Sequence, residues 1–354
     1  MPNPGLQPEP SWSLLNLPAD WPPTLVVVVD TEEEFDWSAP FDSNSRSTKN
    51  ILCQPLAQKI MDRHGVIPTY VVDYPVADTP EAVSVLRTIA DDGRCEIGAH
   101  LHPWVCPPYE EEVDAFNSFP GNLPPALERE KLIRLSSCIE HAFGQRPTIY
   151  KAGRYGLGPA TFETLRELGF RVDASIVPHT DFSSLGGTDF TRFPSGPFRA
   201  GADLVALPLS VHFAGATAAA GPKLHPRLAS RAGAWLHLPG VAAKFGLLER
   251  LRLSPEGHTL GELKRQTRAA LARGERYFML TYHSSTLLPG GTPYALDSTE
   301  RDRFLATLDA YFGFFMGECG GSGKRVTEVA TYLLGTFDPD RNGALRSRQV
   351  FAKN

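Results

Sequence analysis

Two imidazoles at positions i and i+2 of an extended segment point the same way and can share one metal ion. His100-Leu-His102 is such a pair. Neutral imidazoles suit zinc, and also iron, cobalt or nickel. A second concentration of chemistry is Asp30-Thr-Glu32-Glu-Glu-Phe-Asp36-Trp37, directly after Leu-Val-Val-Val-Val, with five acids in seven residues. Such a cluster is costly unless a cation neutralises it. With a divalent metal present, one carboxylate binds it while another takes a proton from its water. Phe35 and Trp37 interleave the acids, which argues against full exposure. His283 is the third signal, closing the apolar run Tyr277-Phe-Met-Leu-Thr-Tyr282. Facing a metal site it is placed as a general acid, with Asp173 to fix its tautomer and hold it charged. Lys151 and Arg154, in Tyr150-Lys-Ala-Gly-Arg-Tyr-Gly-Leu-Gly158, bring positive charge for a catalytic carboxylate or a substrate anion. Each signal has a blander counterpart: a structural histidine, a solvated acidic loop, an ion pair at a strand end.

These residues need a scaffold that gathers them. Short β-branched runs alternate with helical patterns, as a parallel α/β sheet or barrel requires. Strands are expected at Thr24–Asp30, Val66–Asp73, Arg94–His100, Thr148–Lys151, Phe170–Asp173, Leu204–His212 and Arg276–His283, with a last one near Arg325–Val329. Asp78-Thr-Pro-Glu81 reads as a capping box closed by Gly93, and Ala126–Phe143 ends at Gly144. Pro159–Leu168 ends at Gly169, while Thr259-x-x-Glu262 and Asp297-x-x-Glu300 open two further helices. Asp30, Asp73, His100, Lys151, Asp173, His212 and His283 all stand at strand C-termini. That is the pattern of a (β/α) barrel mouth; an open doubly wound sheet gathers such groups at one switch point. Neither GxGxxG nor GxxxxGK[ST] occurs, so nucleotide-binding folds lose ground.

The 354 residues, 42% hydrophobic and 21% charged, suffice for one large α/β domain. A net charge of −5 offers no general attraction to nucleic acid. Five cysteines without a CxxC pair read as reduced thiols. The first basic residue is Arg46, so no signal-peptide n-region precedes the apolar run Leu25–Val29, which is itself too short to span a bilayer. A cytoplasmic location, peripheral to the inner membrane, is the expectation. Residues 1–23 carry seven prolines and read as an arm laid over the domain or as a disordered tail. Residues 178–258 form a Gly/Pro/Ala-rich insertion or lid. Six basic residues against Glu249 between Lys223 and Arg252 make it either a solvated helical surface or a patch for a sugar phosphate or membrane. Asp338-Pro-Asp340-Arg-Asn342-Gly343, in the tail 336–354, imitates an EF-hand loop but has Gln349 at the twelfth position, so it reads as a turn.

The order and context of these motifs resemble the polysaccharide deacetylases with a NodB-homology domain, a large carbohydrate esterase family. Nearest is a subgroup associated with lipopolysaccharide and exopolysaccharide genes. The resemblance covers residues 24–335 and implies a deformed (β/α)₇ TIM-like barrel with an insertion before the last strands. Asp30 matches the family's base and Glu32 a metal ligand, with Thr31 where a second Asp usually stands. His100 and His102 match the ligand histidines, two apart instead of four. Lys151 occupies the place nearest the arginine that tunes the base, and Arg154 is the candidate guanidinium. Val172-Asp173-Ala-Ser175 and Leu280-x-x-His283 resemble the fourth and fifth motifs, with His283 as general acid. The implied reaction is deacetylation of an N-acetylated sugar or glycan precursor. Its cofactor is one divalent metal, zinc first, with iron, cobalt, nickel and manganese behind it. Trp37, Asp73, Trp104, Lys151 and Tyr155 are the expected substrate contacts, and lipid-linked or phosphorylated sugars are within its scope. Two other readings stay open. The same barrel hydrolyses other C–N bonds, in formamides and cyclic amides, although an amidohydrolase proper carries HxH on its first strand and here it lies on the third. A silent member would bind a glycan or a partner protein instead.

Overall fold

The computed structural model describes residues 5–335, apart from 231, 232 and 234. Twelve strands are described: β1 (Ser13–Leu14), β2 (Thr24–Thr31), β3 (Thr69–Val72), β4 (Glu96–Leu101), β5 (Ile149–Ala152), β6 (Val172–Asp173), β7 (Phe198–Arg199), β8 (Val205–Ala206), β9 (Val211–Ala214), β10 (Glu249–Arg252), β11 (Tyr277–His283) and β12 (Ser322–Gly323). The main sheet runs β1-β7-β8-β6-β5-β4-β3-β2-β11, with β12 also on β2. Every pair from β8 through β6, β5, β4, β3 and β2 to β11 is parallel, so seven strands curl as the (β/α)₇ expectation required. β2 is buried at all eight positions, and burial on both faces accounts for the unbroken apolar run Leu25–Val29 within it.

Between β8 and β11 the ring closes without a regular ladder. Ser210 accepts from Leu253 N–H at 2.9 Å, and Thr281 N–H donates to the Leu253 carbonyl at 3.2 Å. The Ser210 hydroxyl also accepts from Met279 N–H at 2.8 Å. The gap is therefore stitched by the two ends of the segment that carries β9 and β10.

Several expected elements differ. Leu204–His212 is not one strand: β8 joins the barrel, while β9 pairs antiparallel with β10 in a separate two-stranded sheet. His212 accordingly leaves the mouth, and its buried Nε2 has no hydrogen-bond partner. Arg325–Val329 is not a strand but the start of a helix, Val326–Gly335, whose Val326, Val329, Ala330 and Leu333 are buried at helical spacing. Its N-terminus is capped from a distance, Glu96 on β4 accepting from Val326 N–H at 2.9 Å. Near Asp78, the N-cap of Pro80–Asp91 is Thr79, whose hydroxyl turns back to the Pro75 carbonyl, so no capping box forms. At Thr259 the reciprocal capping box does form. The expected helices at Ala126–Phe143 and Pro159–Leu168 appear as Pro125–Phe143 and Thr161–Glu167.

From residue 5 to residue 23 the arm lies on the barrel. Leu6, Leu15 and Leu17 are buried, Trp12 stacks on Phe198 at 4.8 Å, and β1 pairs with β7. The basic run divides: Lys223, Arg227 and Lys244 are exposed, whereas Arg250 and Arg252 on β10 are partly buried. All five cysteines are free, and no described helix is long and apolar enough to cross a membrane. The EF-hand-like turn and the rest of 336–354 lie outside the described residues.

Candidate active site

Parallel register places Asp30 beside His283, and His100 beside Lys151, at the C-terminal rim of four strands. Asp30, His100 and His283 open into one cavity of about 290 Å³ that also receives Glu32, His102, Trp37, Arg154 and Tyr155.

Three donor atoms converge there. Glu32 Oε2 lies 3.6 Å from His100 Nε2 and 3.4 Å from His102 Nε2. Ligand atoms about 2.0–2.1 Å from a tetrahedral zinc stand roughly 3.3–3.4 Å apart, so these two separations are close to the edges of such a site, and all three atoms lie within 4.8 Å of one another. The other imidazole nitrogens are already committed: His100 Nδ1 to the Lys151 carbonyl and His102 Nδ1 to Glu33 Oε2, each at 2.8 Å. A carbonyl only accepts, so His100 Nδ1 carries the proton and its Nε2 lone pair faces forward; a His102 Nδ1 that donates to Glu33 turns its own Nε2 lone pair the same way. Burial drives His102 down to about 4 and also lowers His100, which keeps both neutral, as metal ligands must be. Burial raises Glu32 to about 7, an acid that a cation would ionise. The donor set thus fits a divalent metal. Glu33, Asp73 and His102 also converge, but hydrogen bonds occupy their facing atoms.

The residue that supports His102 escaped the sequence reading. Glu33 is fully buried, bonding His102 through one oxygen and Trp104 Nε1 through the other, at 2.8 Å each. Trp104 stacks on His102 at 4.2 Å. It was expected to touch substrate; it is buried behind the histidine instead. Asp73 was expected there too, but it caps the helix Tyr74–Asp78 through Val76 N–H and holds Glu33 N–H at 2.6 Å. Gly153 lets the chain pass close to the site, since a Cβ there would overlap the His102 ring and the Leu101 carbonyl. Glu34 and Asp36, the other acids of the run, fold their own loop by holding Ser47, Asn50 and Ser38.

Asp30 is held by Lys151, Nζ to Oδ1 at 2.5 Å, and Lys151 also donates to Thr281 at 2.8 Å. Burial alone would raise Asp30, but Lys151, His100 and His283 outweigh it and keep the carboxyl below its ordinary value. Lys151 is completely buried, so it fixes Asp30 and is not the substrate contact expected of it. Deleting one member of such a pair costs about 3–5 kcal/mol by stranding the other. Arg154 does not tune Asp30: it bonds the Ala115 carbonyl and the Ser118 hydroxyl and lies over the Phe119 ring at 4.3 Å. Its φ of +52°, followed by +60° at Tyr155, turns both side chains into the cavity.

His283 Nε2 faces Asp30 Oδ2 at 3.6 Å. Its other nitrogen meets Glu256 Oε2 at 2.9 Å, and Glu256 Oε1 accepts from the His283 N–H and the Thr286 hydroxyl. Burial would lower His283, but Glu256, Glu32 and Asp30 prevail and carry it up to about 10. Asp173, the expected partner, instead accepts from Ser175 Oγ at 2.5 Å, and burial lifts it to about 7. Glu256 lies in Ser254-Pro-Glu-Gly-His258, a turn with no pattern that links it to a histidine 27 residues on. Trp37 meets His283 edge-on at 5.0 Å, and Tyr155 stacks with Phe182 at 5.6 Å, giving the cavity two aromatic walls.

No protein-family model and no curated protein matches the chain. Solved structures do. A Mycobacterium smegmatis protein assigned as a polysaccharide deacetylase superposes with a TM-score of 0.50 at 18% identity, over 91% of this chain and 96% of that one. The allantoinase PuuE superposes with a TM-score of 0.50 at 17% identity, over 91% and 95%. A Pseudomonas aeruginosa PAO1 protein assigned to the polysaccharide deacetylases gives 0.50 at 16% identity, over 89% and 92%. At these identities the likeness is one of fold: the chain has the barrel that these deacetylases and this allantoinase share.

Proposed function

We propose that the chain is a NodB-type, metal-dependent hydrolase that removes an acetyl group from the nitrogen of an amino sugar or glycan precursor. One observation carries the reading. Three forward-facing donor atoms, on Glu32, His100 and His102, share a cavity with an ionised Asp30 and a charged His283. A divalent metal on those three donors, zinc first, supplies Lewis-acid polarisation of the amide carbonyl and a lowered pKa for water.

The protein's own groups do the rest. Water's oxygen adds to the carbonyl carbon as Asp30 takes its proton; Lys151 keeps Asp30 ionised and oriented. The C–N bond then breaks as His283 gives its Nε2 proton to the departing nitrogen, leaving acetate and a free amine. Glu256 keeps that imidazole charged and turned toward Asp30. Trp37 and Tyr155 face the sugar ring. A lipopolysaccharide or exopolysaccharide precursor is the substrate this reading favours.

The allantoinase shares the fold as fully as the deacetylases do, so the test spans both chemistries. Metal content is measured by mass spectrometry on protein purified without a chelating tag, beside a His100→Ala/His102→Ala variant. Acetate, formate and ring-opened product are then assayed from N-acetyl sugars, formamides and cyclic ureides. About one metal per chain, lost in the variant, with acetate released from an N-acetyl sugar, is the expected result. Product from the cyclic ureide alone transfers the mechanism to ring opening. No metal after reconstitution with zinc, iron, cobalt, nickel or manganese sinks the mechanism and leaves a binding protein.

A further inference from the structure

Of the charged groups that line the cavity, Glu32 stands with His100 and His102, Asp30 is paired with Lys151 and His283 with Glu256 behind the wall, and two arginines are left over. Arg154 uses one terminal nitrogen, Nη1, on a carbonyl and a hydroxyl, and no acid acts on it; burial alone pulls its pKa down. Arg252 reaches only the Tyr155 and Tyr294 hydroxyls, the former at 3.4 Å. Glu256 and Asp30 act on Arg252 through space, but their oxygens already serve His283, Thr286 and Lys151. Neither guanidinium makes an ion pair among the described residues.

The alternation of β10 explains how this charge arises. Glu249 turns outward to Arg265 at 2.9 Å and Leu251 is buried, while Arg250 and Arg252 project from the opposite face. Arg250 holds the Thr180 hydroxyl at 2.6 Å and borders a neighbouring cavity with His179 and His225. The strand's only acid thus points away from its two bases. Half-buried guanidinium forks with no carboxylate are costly to keep, and a planar oxyacid satisfies them bidentately. A neutral sugar asks for hydroxyl and amide partners and has no use for two fixed positive charges.

We propose that Arg252, together with Arg154, recognises an anionic oxyacid group, phosphate or carboxylate, on the sugar that carries the hydrolysed acyl group. This rests on the deacylase reading. The test therefore uses sugars without an acyl group: glucose 6-phosphate, glucuronate and glucose, titrated calorimetrically into the protein as purified. At least one anion is expected to bind about ten-fold or more tightly than glucose, with an affinity that falls as salt rises. Which anion wins distinguishes phosphate from carboxylate. Arg252→Gln should cut that preference about ten- to hundred-fold. Arg252→Lys should keep part of it, because the charge stays and the fork goes. Thermal melts confirm that the variants are folded, and Arg154→Gln provides a second, independent site of loss. Equal binding of all three sugars, no binding of either anion at millimolar concentration, or a preference that survives both glutamine variants overturns the proposal. Acetate release from a neutral N-acetyl sugar without any anion preference sinks this inference alone. Arginine-dependent anion binding without hydrolysis of any amide sinks the deacylase reading alone.

Discussion

Two carboxylate–imidazole pairs flank the cavity, and they come out opposite. Glu33 holds His102 at 2.8 Å, and Glu256 holds His283 at 2.9 Å. Yet His102 falls to about 4 while His283 rises to about 10. Both carboxylates are buried, so depth of the acid does not separate them. Their surroundings do. Burial, with Glu32 alongside, pushes Glu33 up to about 8. Burial also works against Glu256, but His283, its N–H and Thr286 overcome that and leave the acid ionised. On the imidazole side, burial and the neighbouring His100 keep His102 neutral at 3% exposure. His283, at 17%, faces Glu256, Glu32 and Asp30. One short contact thus accompanies a neutral imidazole on one wall and a charged one on the other. A carboxylate beside a histidine does not by itself say which.

The largest effect that bears on this contrast is His283→Ala. It should lower kcat for acetate release about 10²–10⁴-fold while metal content stays at the wild-type level. Loss of metal in that variant would erase the distinction between the two walls. Next come the two supporting acids. Glu33→Gln should weaken metal binding about 10–100-fold, with activity returning in excess metal. Glu256→Gln should leave metal affinity alone and bring the His283 pKa down, so the alkaline fall of kcat moves to lower pH. Equal responses of the two variants in a metal titration and a pH–rate profile would break the comparison.

A smaller effect is thermodynamic. His283 is raised on folding from an ordinary value near 6.5 to about 10, so its stabilisation is complete below about pH 6.5 and is lost as pH climbs through 10. The Tm gap between wild type and His283→Gln should therefore close across that window. His212 has the reverse sign. Burial lowers it to about 3, so its neutral form stabilises above pH 6.5, and that contribution is lost as pH falls toward 3. The smallest change should come from Asp173→Asn, whose carboxylate serves Ser175. A displaced alkaline limb in its pH–rate profile would return Asp173 to the role the structure assigns to Glu256.

The barrel was legible because short β-branched runs alternate with helical patterns along the chain and ionisable residues close strand after strand; its count of seven strands came from the resemblance to the NodB-type deacetylases. The elements misread are those decided from a distance. Val326–Gly335 looks β-branched at its start, but Glu96 caps it and the barrel buries its helical stripe. Leu204–Leu209 is an unbroken apolar run that continues into Ser210-Val-His212, yet the strand partners divide the segment between two sheets.

Within the site, residue types and local spacing determined the chemistry available: Asp30 and Glu32 two apart, His100 and His102 two apart, and His283 at the end of a buried strand. Those facts hold in any parallel barrel, because i and i+2 share a face. Tertiary structure alone decided who serves whom. It gave Lys151, not Arg154, to Asp30, and Glu256, not Asp173, to His283. It also drew Trp104 and Asp73 behind the histidines and turned Arg252 into the cavity. These partners lie 27 to 121 residues apart. A hydrogen bond is specified by angstroms between side chains, and chain separation carries no information on that scale until the strands are in register.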